Sequence, residues 1–378
     1  MPADDWAGAT CGDAETTDGP RPADAADGQG ATSFDLRAVF QVALVVVPLG
    51  VLGNLVFTYL ATDRDVLTSL GAFPRTWLLL ALGLALVPWL TNTLRLLIWT
   101  RFLGYRVGGL EAFRMTLAVD LGASVSPTAV GGGFLKWGML VERGVPPGAA
   151  ASLIALPTVE DAIFFALALP TAFVLTAAWE VGGWGAVAGT AASRAALLAG
   201  AAAVVFLIVL LLTRLILRGG MGVRPRRWTL RGFAWIRRRF RAAWVDARDV
   251  FLVILDRGKA QLALSLLLTA VQWGARYSVI TALIAFLGAP VKPLLFWALQ
   301  WVVFTLMTLM PTPGAAGGAE VTFAIVYGTL LPIGILGVAT AGWRFLTFYL
   351  QVGLAAVLFP LLGRLARARH TRDATPAR

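Results

Sequence analysis

The chain has 378 residues, of which 58% are hydrophobic and only 14% charged. Soluble domains carry roughly a quarter charged residues, so this composition excludes a soluble globular fold and describes a membrane protein. The formal net charge of +11 would suggest nucleic acid if the arginines lay on a soluble domain. They stand beside apolar segments instead, which points to anionic lipid as partner and to no nucleic acid.

Residues 1–33 are rich in Ala, Asp, Gly, Thr and Pro and lack the basic start and apolar core of a signal peptide. They read as a disordered acidic tail. Apolar stretches near the ~20 residues that cross a hydrocarbon core follow at 36–60, 76–98, 148–178, 190–217, 262–288 and 335–362. Two more, 111–140 and 293–330, are apolar but interrupted by Pro and Gly. The apolar runs do not alternate in ~10-residue pieces as barrel strands do. The predicted fold is all-α and polytopic, with about six full spans and two broken, re-entrant segments. The predicted organisation is a first membrane half over 34–217, a basic linker over 218–259, a second membrane half over 260–365 and a basic tail over 366–378.

The linker holds eleven Arg and one Lys against Asp246, Asp249 and Asp256, and the positive-inside rule places it in the cytoplasm. Phe233, Ile236, Phe240 and Trp244 recur within it at helical spacing, which predicts an amphipathic helix at the headgroup boundary. Arg364, Arg367, Arg369 and Arg372 place the C-terminus in the cytoplasm as well. The segment count then puts the N-terminus there too, with one hairpin entering from each side of the cytoplasmic membrane. Oligomeric state is not specified by this pattern.

The second interrupted stretch contains "LMPTPGAAGGAE" and the first "SVSPTAVGGGFLKWGML". Pro removes a backbone donor and Gly tolerates unusual dihedrals. Non-helical backbone cannot face lipid, so it must be buried in protein or line a wet cavity. Aligning Pro127 on Pro311 puts Gly133 on Gly317, Lys136 on Glu320 and Glu160 on Arg344, without a gap. The helices before the two breaks also agree in kind, with Asn92 and Arg95 in the first and Gln272 and Arg276 in the second. Two halves of opposite insertion, each with a broken helix, are the signature of an inverted-repeat transporter. Pro127, Gly133, Pro311, Pro313, Gly314 and Gly317 are the expected gate.

Charges at the bilayer centre cost at least ~2.5–3.5 kcal/mol on insertion scales. This chain places Arg95, Arg114, Asp120, Lys136, Glu160, Asp161, Arg276, Glu320 and Arg344 in apolar segments. Pairing in a central cavity is the economical arrangement, and the matching predicts contacts within Lys136/Glu320 and Glu160/Arg344. Arg95 and Arg114 lie near predicted ends, where snorkelling is open to them. Lys136, Glu160, Asp161, Arg276, Glu320 and Arg344 are the candidate substrate-binding residues. Arg suits a phosphate and a carboxylate suits an amine, so anionic or zwitterionic lipid is the expected ligand. The alternative for these charges is a set of ion pairs that fix helix register. Trp77, Trp89 and Trp99 read as an interfacial belt.

Cys11 is the single cysteine and His370 the single histidine, both in predicted tails. No phosphate-binding loop, nucleophile elbow or HExxH motif occurs. The expectation is a chain with no cofactor, no metal and no catalytic activity.

"LMPTPGAAGGAE" with the following "WRFLTFYLQVGL", and the earlier "SPTAVGGGFLKWGML" and "ALPTVEDAIFFALAL", resemble the lysylphosphatidylglycerol synthase transmembrane (flippase-like) family. The resemblance covers about 40–365. In bifunctional members this membrane portion is associated with moving aminoacylated phospholipid between leaflets, and a separate soluble domain makes that lipid. The resemblance therefore implies the translocator portion without the synthase portion. It places weight on Pro127, Lys136, Glu160, Pro311, Gly314, Gly317, Glu320 and Arg344. Phe134 stands where the family often has Glu, and Asp161 where it often has Arg. Both departures alter cavity charge and point away from lysyl-phosphatidylglycerol itself. The function expected is translocation of a phospholipid or other lipid-linked headgroup. The alternatives are an intramembrane lipid transferase and a non-transporting scaffold subunit beside a lipid-modifying enzyme.

Overall fold

The computed structural model describes residues 52, 74–126, 131–176, 253–254, 256–308, 313–315 and 317–373. Apart from residue 52, the expected span at 36–60 lies outside the described residues, as do the span at 190–217, the acidic tail, the amphipathic linker helix, Pro127 and Pro311. Among those described the chain is helical, with no strand.

Helix α1, Arg75–Phe102, begins directly after Pro74 and contains Pro88. At 1.5 Å per residue its 28 residues reach about 42 Å, longer than the ~30 Å hydrocarbon core. The first interrupted stretch follows as α2, Gly109–Val125, and α3, Gly131–Glu142. Helix α4, Pro147–Leu175, starts on a proline at its first position, where the missing donor is no loss, and carries Pro157 and Pro170 inside. The same order then recurs. Helix α5 is Lys259–Phe286, and the second interrupted stretch is α6, Pro293–Thr308, and α7, Gly318–Tyr327. Helix α8, Ile333–Arg344, runs through a π-turn at Phe345–Tyr349 into α9, Leu350–Asp373.

Three described helices are long and apolar enough to cross a membrane: Arg75–Phe102, Pro147–Ala172 and the continuous Gly334–Leu365. The protein is therefore an all-α polytopic membrane protein. The arms of the interrupted stretches are shorter. α3 has 12 residues and α7 has 10, about 18 and 15 Å of helix, too little to cross alone.

The most extensive helix contact joins α1 to α5, the helices that precede the two broken stretches. One apolar core gathers α5, α6, α7 and α8 around Phe296, Phe323, Tyr327 and Trp343, with Ala81 and Ala85 of α1 inserted. A second packs Leu96, Leu97 and Trp99 of α1 against α2, α3 and α4. A third joins α2 to α9 through Leu117, Leu121, Val352 and Phe359. In lipid the tails are as apolar as leucine, so close packing must hold helices together, and small residues permit it. The α2–α3 crossing shows this. A Cβ on Gly122 would stand 2.9 Å from the Gly131 backbone, and one on Gly132 would overlap the Val119 carbonyl oxygen.

Gly132→Ala is expected to lower the thermal unfolding midpoint in detergent, by the equivalent of about 2 kcal/mol for overpacking. Gly138 lies on the same helix with nothing within 4 Å of an added Cβ. Gly138→Ala should leave the midpoint unchanged or raise it, by up to about 1 kcal/mol of helix propensity. Fluorescence-monitored melting of the two variants checks the contrast.

Candidate functional site

A polar stripe runs along α1. Thr91, Arg95 and Trp99 recur every four residues and share one face. Helix α4 turns Pro157, Glu160 and Asp161 toward it, and α5 presents Ser265 and Gln272. Arg95 is 1% exposed and Glu160 0%. The Arg95 Nε donates to Glu160 Oε2 at 2.9 Å, and Nη2 donates to the same oxygen at 2.6 Å and to the Pro157 carbonyl at 3.1 Å. Nη1 donates to Gln272 Oε1 at 3.1 Å and to Asp161 Oδ1 at 3.3 Å. The Trp99 indole donates to Glu160 Oε1 at 2.8 Å and lies 3.1 Å from Ser265 Oγ. A guanidinium has five N–H donors, and five acceptor contacts meet them here. This node is closed: its charges are paired and hydrogen-bonded, the condition under which a buried ion pair is tolerated.

A second pair is built differently. Glu320 sits in the first turn of α7, where the helix dipole favours a carboxylate, and Arg344 ends α8 just where the helix continues into the π-turn. The short 328–332 connection brings the two helices side by side. Arg344 Nε lies 3.4 Å from Glu320 Oε1. Its Nη2 donates to the Gly314 carbonyl, and its guanidinium lies 4.2 Å from the Phe348 ring centre. Glu320 Oε2 and Arg344 Nε are both buried and without a hydrogen-bond partner. This pair is open, in contrast to the first.

The turn that Arg344 grips is unusual backbone. Gly314 has φ 59°, Ala315 φ 54° and Gly317 φ 78°. A Cβ on Gly314 would stand 2.8 Å from the Phe348 ring edge and closer still to its tip, whereas one on Gly317 would meet nothing within 4 Å. The π-turn that follows Arg344 carries Phe348, and π-turns inside α-helices occur mostly at functional sites. The 313–315 turn also packs on α2 of the first half.

The structure thus places the predicted site residues in more than one setting. Glu160 and Asp161 converge on Arg95, and Glu320 and Arg344 converge on each other. The cross-half contacts expected from the matched positions, Glu160 with Arg344 and Lys136 with Glu320, do not form among the described residues. Each glutamate meets an arginine of its own half: α4 packs on α1, and α7 and α8 are chain neighbours that contact each other. Lys136 is half-buried on α3, in electrostatic reach of Arg95 and Glu160 but with no ion pair to a described carboxylate. Arg276 stands apart from both nodes, over the rings of Phe304 and Trp273. Of the gate residues, Pro313 and Gly314 lie in the turn, Gly317 caps α7, and Gly133 packs α3 on Ile154 of α4.

Arg95 does not snorkel, and Trp89 and Trp99 are not belt residues. All three are buried, and both indoles donate to carboxylates, Trp89 to Asp120 and Trp99 to Glu160. Trp77 alone of that trio is exposed, at 41%. Arg95, Trp99, Gln272 and Asp120 were absent from the expected site. The signal for the first three was the four-residue polar stripe on α1 and the buried polar run Ser265, Thr269 and Gln272 at helical spacing on α5.

Long apolar helices, two broken segments and ionised side chains deep in the bundle define a polytopic membrane protein with a charged interior. The sequence profile described as the lysylphosphatidylglycerol synthase TM region matches residues 39–355, and the chain belongs to that family. It is also similar to a UPF0104 membrane protein of Archaeoglobus fulgidus, with 25% identity over 287 residues, covering 74% of this chain and 85% of the relative.

The two nodes predict unequal mutational behaviour. Glu160→Gln leaves a buried arginine short of its counter-charge and should cost about 3–5 kcal/mol of stability. Glu320→Gln removes a carboxylate engaged through one oxygen only and should cost less, about 1–3 kcal/mol for a buried arginine left with a neutral neighbour. Thermal unfolding in detergent separates the two. Gly314→Ala should also be far more damaging than Gly317→Ala, since only the former adds a clash to the positive-φ cost.

Proposed function

We propose that this protein is a translocator of phospholipid or another lipid-linked headgroup across the cytoplasmic membrane, with both termini in the cytoplasm. The observation that carries the reading is the open Glu320–Arg344 pair. It is buried, charged and incompletely hydrogen-bonded, and it is fastened to a positive-φ turn between helices too short to cross alone. A merely structural ion pair would be expected to resemble the Arg95 node, with every donor met. Unused hydrogen-bonding capacity at a buried charge is what a ligand, or a second conformation, takes up.

In this mechanism the two interrupted stretches are re-entrant hairpins, and the halves insert in opposite senses. A headgroup phosphate competes with Glu320 for Arg344, while a headgroup amine is drawn to the carboxylate. Exchange of partners releases the guanidinium from Gly314 and frees the turn to move. The lipid tails stay in the bilayer throughout. The family match supports a lipid context, and the fully engaged Arg95 node would supply the rigid frame against which the second hairpin moves. No chemical step is assigned to the chain, which acts here as a carrier and not as an enzyme.

The experiment is translocation of a fluorescent phospholipid in sealed proteoliposomes, read by reductant quenching of outer-leaflet label. Arg344→Ala and Glu320→Gln should each slow transport by about tenfold or more, with Gly138→Ala at the parental rate. Parental rates in both site variants would refute the assignment. Lipid turnover in detergent without a bilayer would transfer the protein to the transferase class.

A further inference from the structure

The seam between α4 and α6 holds a hollow of about 450 Å³, lined by Phe164, Leu167, Ala168 and Thr171 of α4 and by Leu294 and Trp297 of α6. That volume falls within the ~300–1,000 Å³ of small-molecule sites. The Phe164 and Trp297 rings meet edge to face across the seam, their centres 6.1 Å apart and their planes at 85°. Ala168, one turn beyond Phe164, contributes only a methyl group, which leaves the room.

The polar atoms of this lining are already committed. The Thr171 hydroxyl donates to the Leu167 carbonyl at 2.8 Å, and the Trp297 indole donates to the Trp273 carbonyl at 3.1 Å. A water held in a cavity needs about two to four polar partners, and this lining has no side-chain donor to spare. The complement of the hollow is apolar.

Its place says which apolar molecule. The membrane-crossing stretch of α4 runs Pro147–Ala172 and ends one residue past Thr171. The hollow thus lies toward one boundary of the hydrocarbon layer, where acyl chains begin beneath their headgroups. Leu167 and Leu294 are 70% and 42% exposed, so the seam opens outward, and what surrounds a spanning helix there is lipid chain. At the same end Lys292 stands directly before α6, two residues from Leu294. It is exposed and forms no ion pair among the described residues. A lysine at the end of a membrane helix extends its charge into the headgroup layer, where anionic lipid phosphate is the available counter-charge.

We propose that the α4–α6 seam is a docking groove for one acyl chain of an anionic phospholipid, with Lys292 meeting the phosphate. The groove shares no residue with the Glu320–Arg344 pair. It does not rest on the translocator reading, since binding is measurable in a protein that moves nothing.

Trp297 supplies the readout, because it lines the hollow. The full-length protein, labelled with 5-fluorotryptophan in detergent micelles, is followed by fluorine NMR, with the Trp297 resonance assigned by Trp297→Phe. Titration with dioleoyl phosphatidic acid should shift that resonance saturably, and dioleoyl phosphatidylcholine should bind about fivefold more weakly. Lys292→Gln should erase that difference. Ala168→Phe, which fills the hollow, should weaken both lipids by about tenfold or more. Retained dispersion of the other tryptophan signals shows that each variant is folded.

The absence of a saturable shift in the parent would show the hollow closed by protein and overturn the groove, as would an undiminished response in Ala168→Phe. Equal affinity for the two lipids, or a preference that survives Lys292→Gln, would overturn the anionic assignment. Glycerol 3-phosphate shifting Trp297 as readily as the lipid would overturn the acyl chain as occupant. A saturable Trp297 response in a protein that moves no lipid would leave the groove standing and remove the translocator reading.

Discussion

The enclosure of Arg95 is the constraint on which the rest of the bundle depends. A guanidinium in the membrane interior carries five donors, and each one left without an acceptor costs stability. Glu160, Asp161, Gln272 and the Pro157 carbonyl meet that demand together. The cost of leaving any donor unmet ties α4 and α5 to α1 at one level. In lipid, where apolar burial gives helices little reason to associate, such a polar lock specifies the arrangement that packing then fills.

Against this frame the Glu320–Arg344 pair has a different character. Both pairs combine a glutamate with an arginine, and both are buried. One uses its full hydrogen-bonding capacity and the other does not. A saturated network resists rearrangement, whereas a partly satisfied one lies close in energy to alternatives. The second pair is also coupled to backbone in uncommon conformations at Gly314, Ala315 and Gly317, and strain of that kind gathers where a conformation has work to perform. The Arg95 node is thus saturated, and the spare hydrogen-bonding capacity lies at the Glu320–Arg344 pair. The proposed translocation mechanism assigns holding and moving to them in that order.

The broken helices follow from the same solvent argument applied to the backbone. A break at membrane depth is tolerated only when protein covers it. Here α2 covers the 313–315 turn, Phe348 closes over Gly314, and Arg344 takes a carbonyl that the helix no longer uses. Pro and Gly permit the break; the side chains around it make it affordable.

How much of this could be read in advance varies residue by residue. Apolar length and the Pro–Gly interruptions foretold α1, α4, the α8–α9 helix and both helix–break–helix stretches, because hydrophobic run length and helix-breaking chemistry are local properties. That Glu320 and Arg344 would be buried inside the bundle was legible too, since ionised residues within apolar runs do not face lipid. Their partners were not. Matched spacing suggested pairing across the halves, but which arginine reaches which glutamate depends on how helices far apart in sequence cross. Trp99 shows the limit well: at the end of an apolar run it reads as a belt residue, and only the approach of Glu160, 61 positions away, makes it a buried donor. The sequence by itself determined that this protein lives in a membrane, that its backbone breaks twice and that charges lie inside. Only the tertiary structure decided that one pair is complete and the other open, because a donor's satisfaction is counted in ångströms between elements that spacing along a chain does not record.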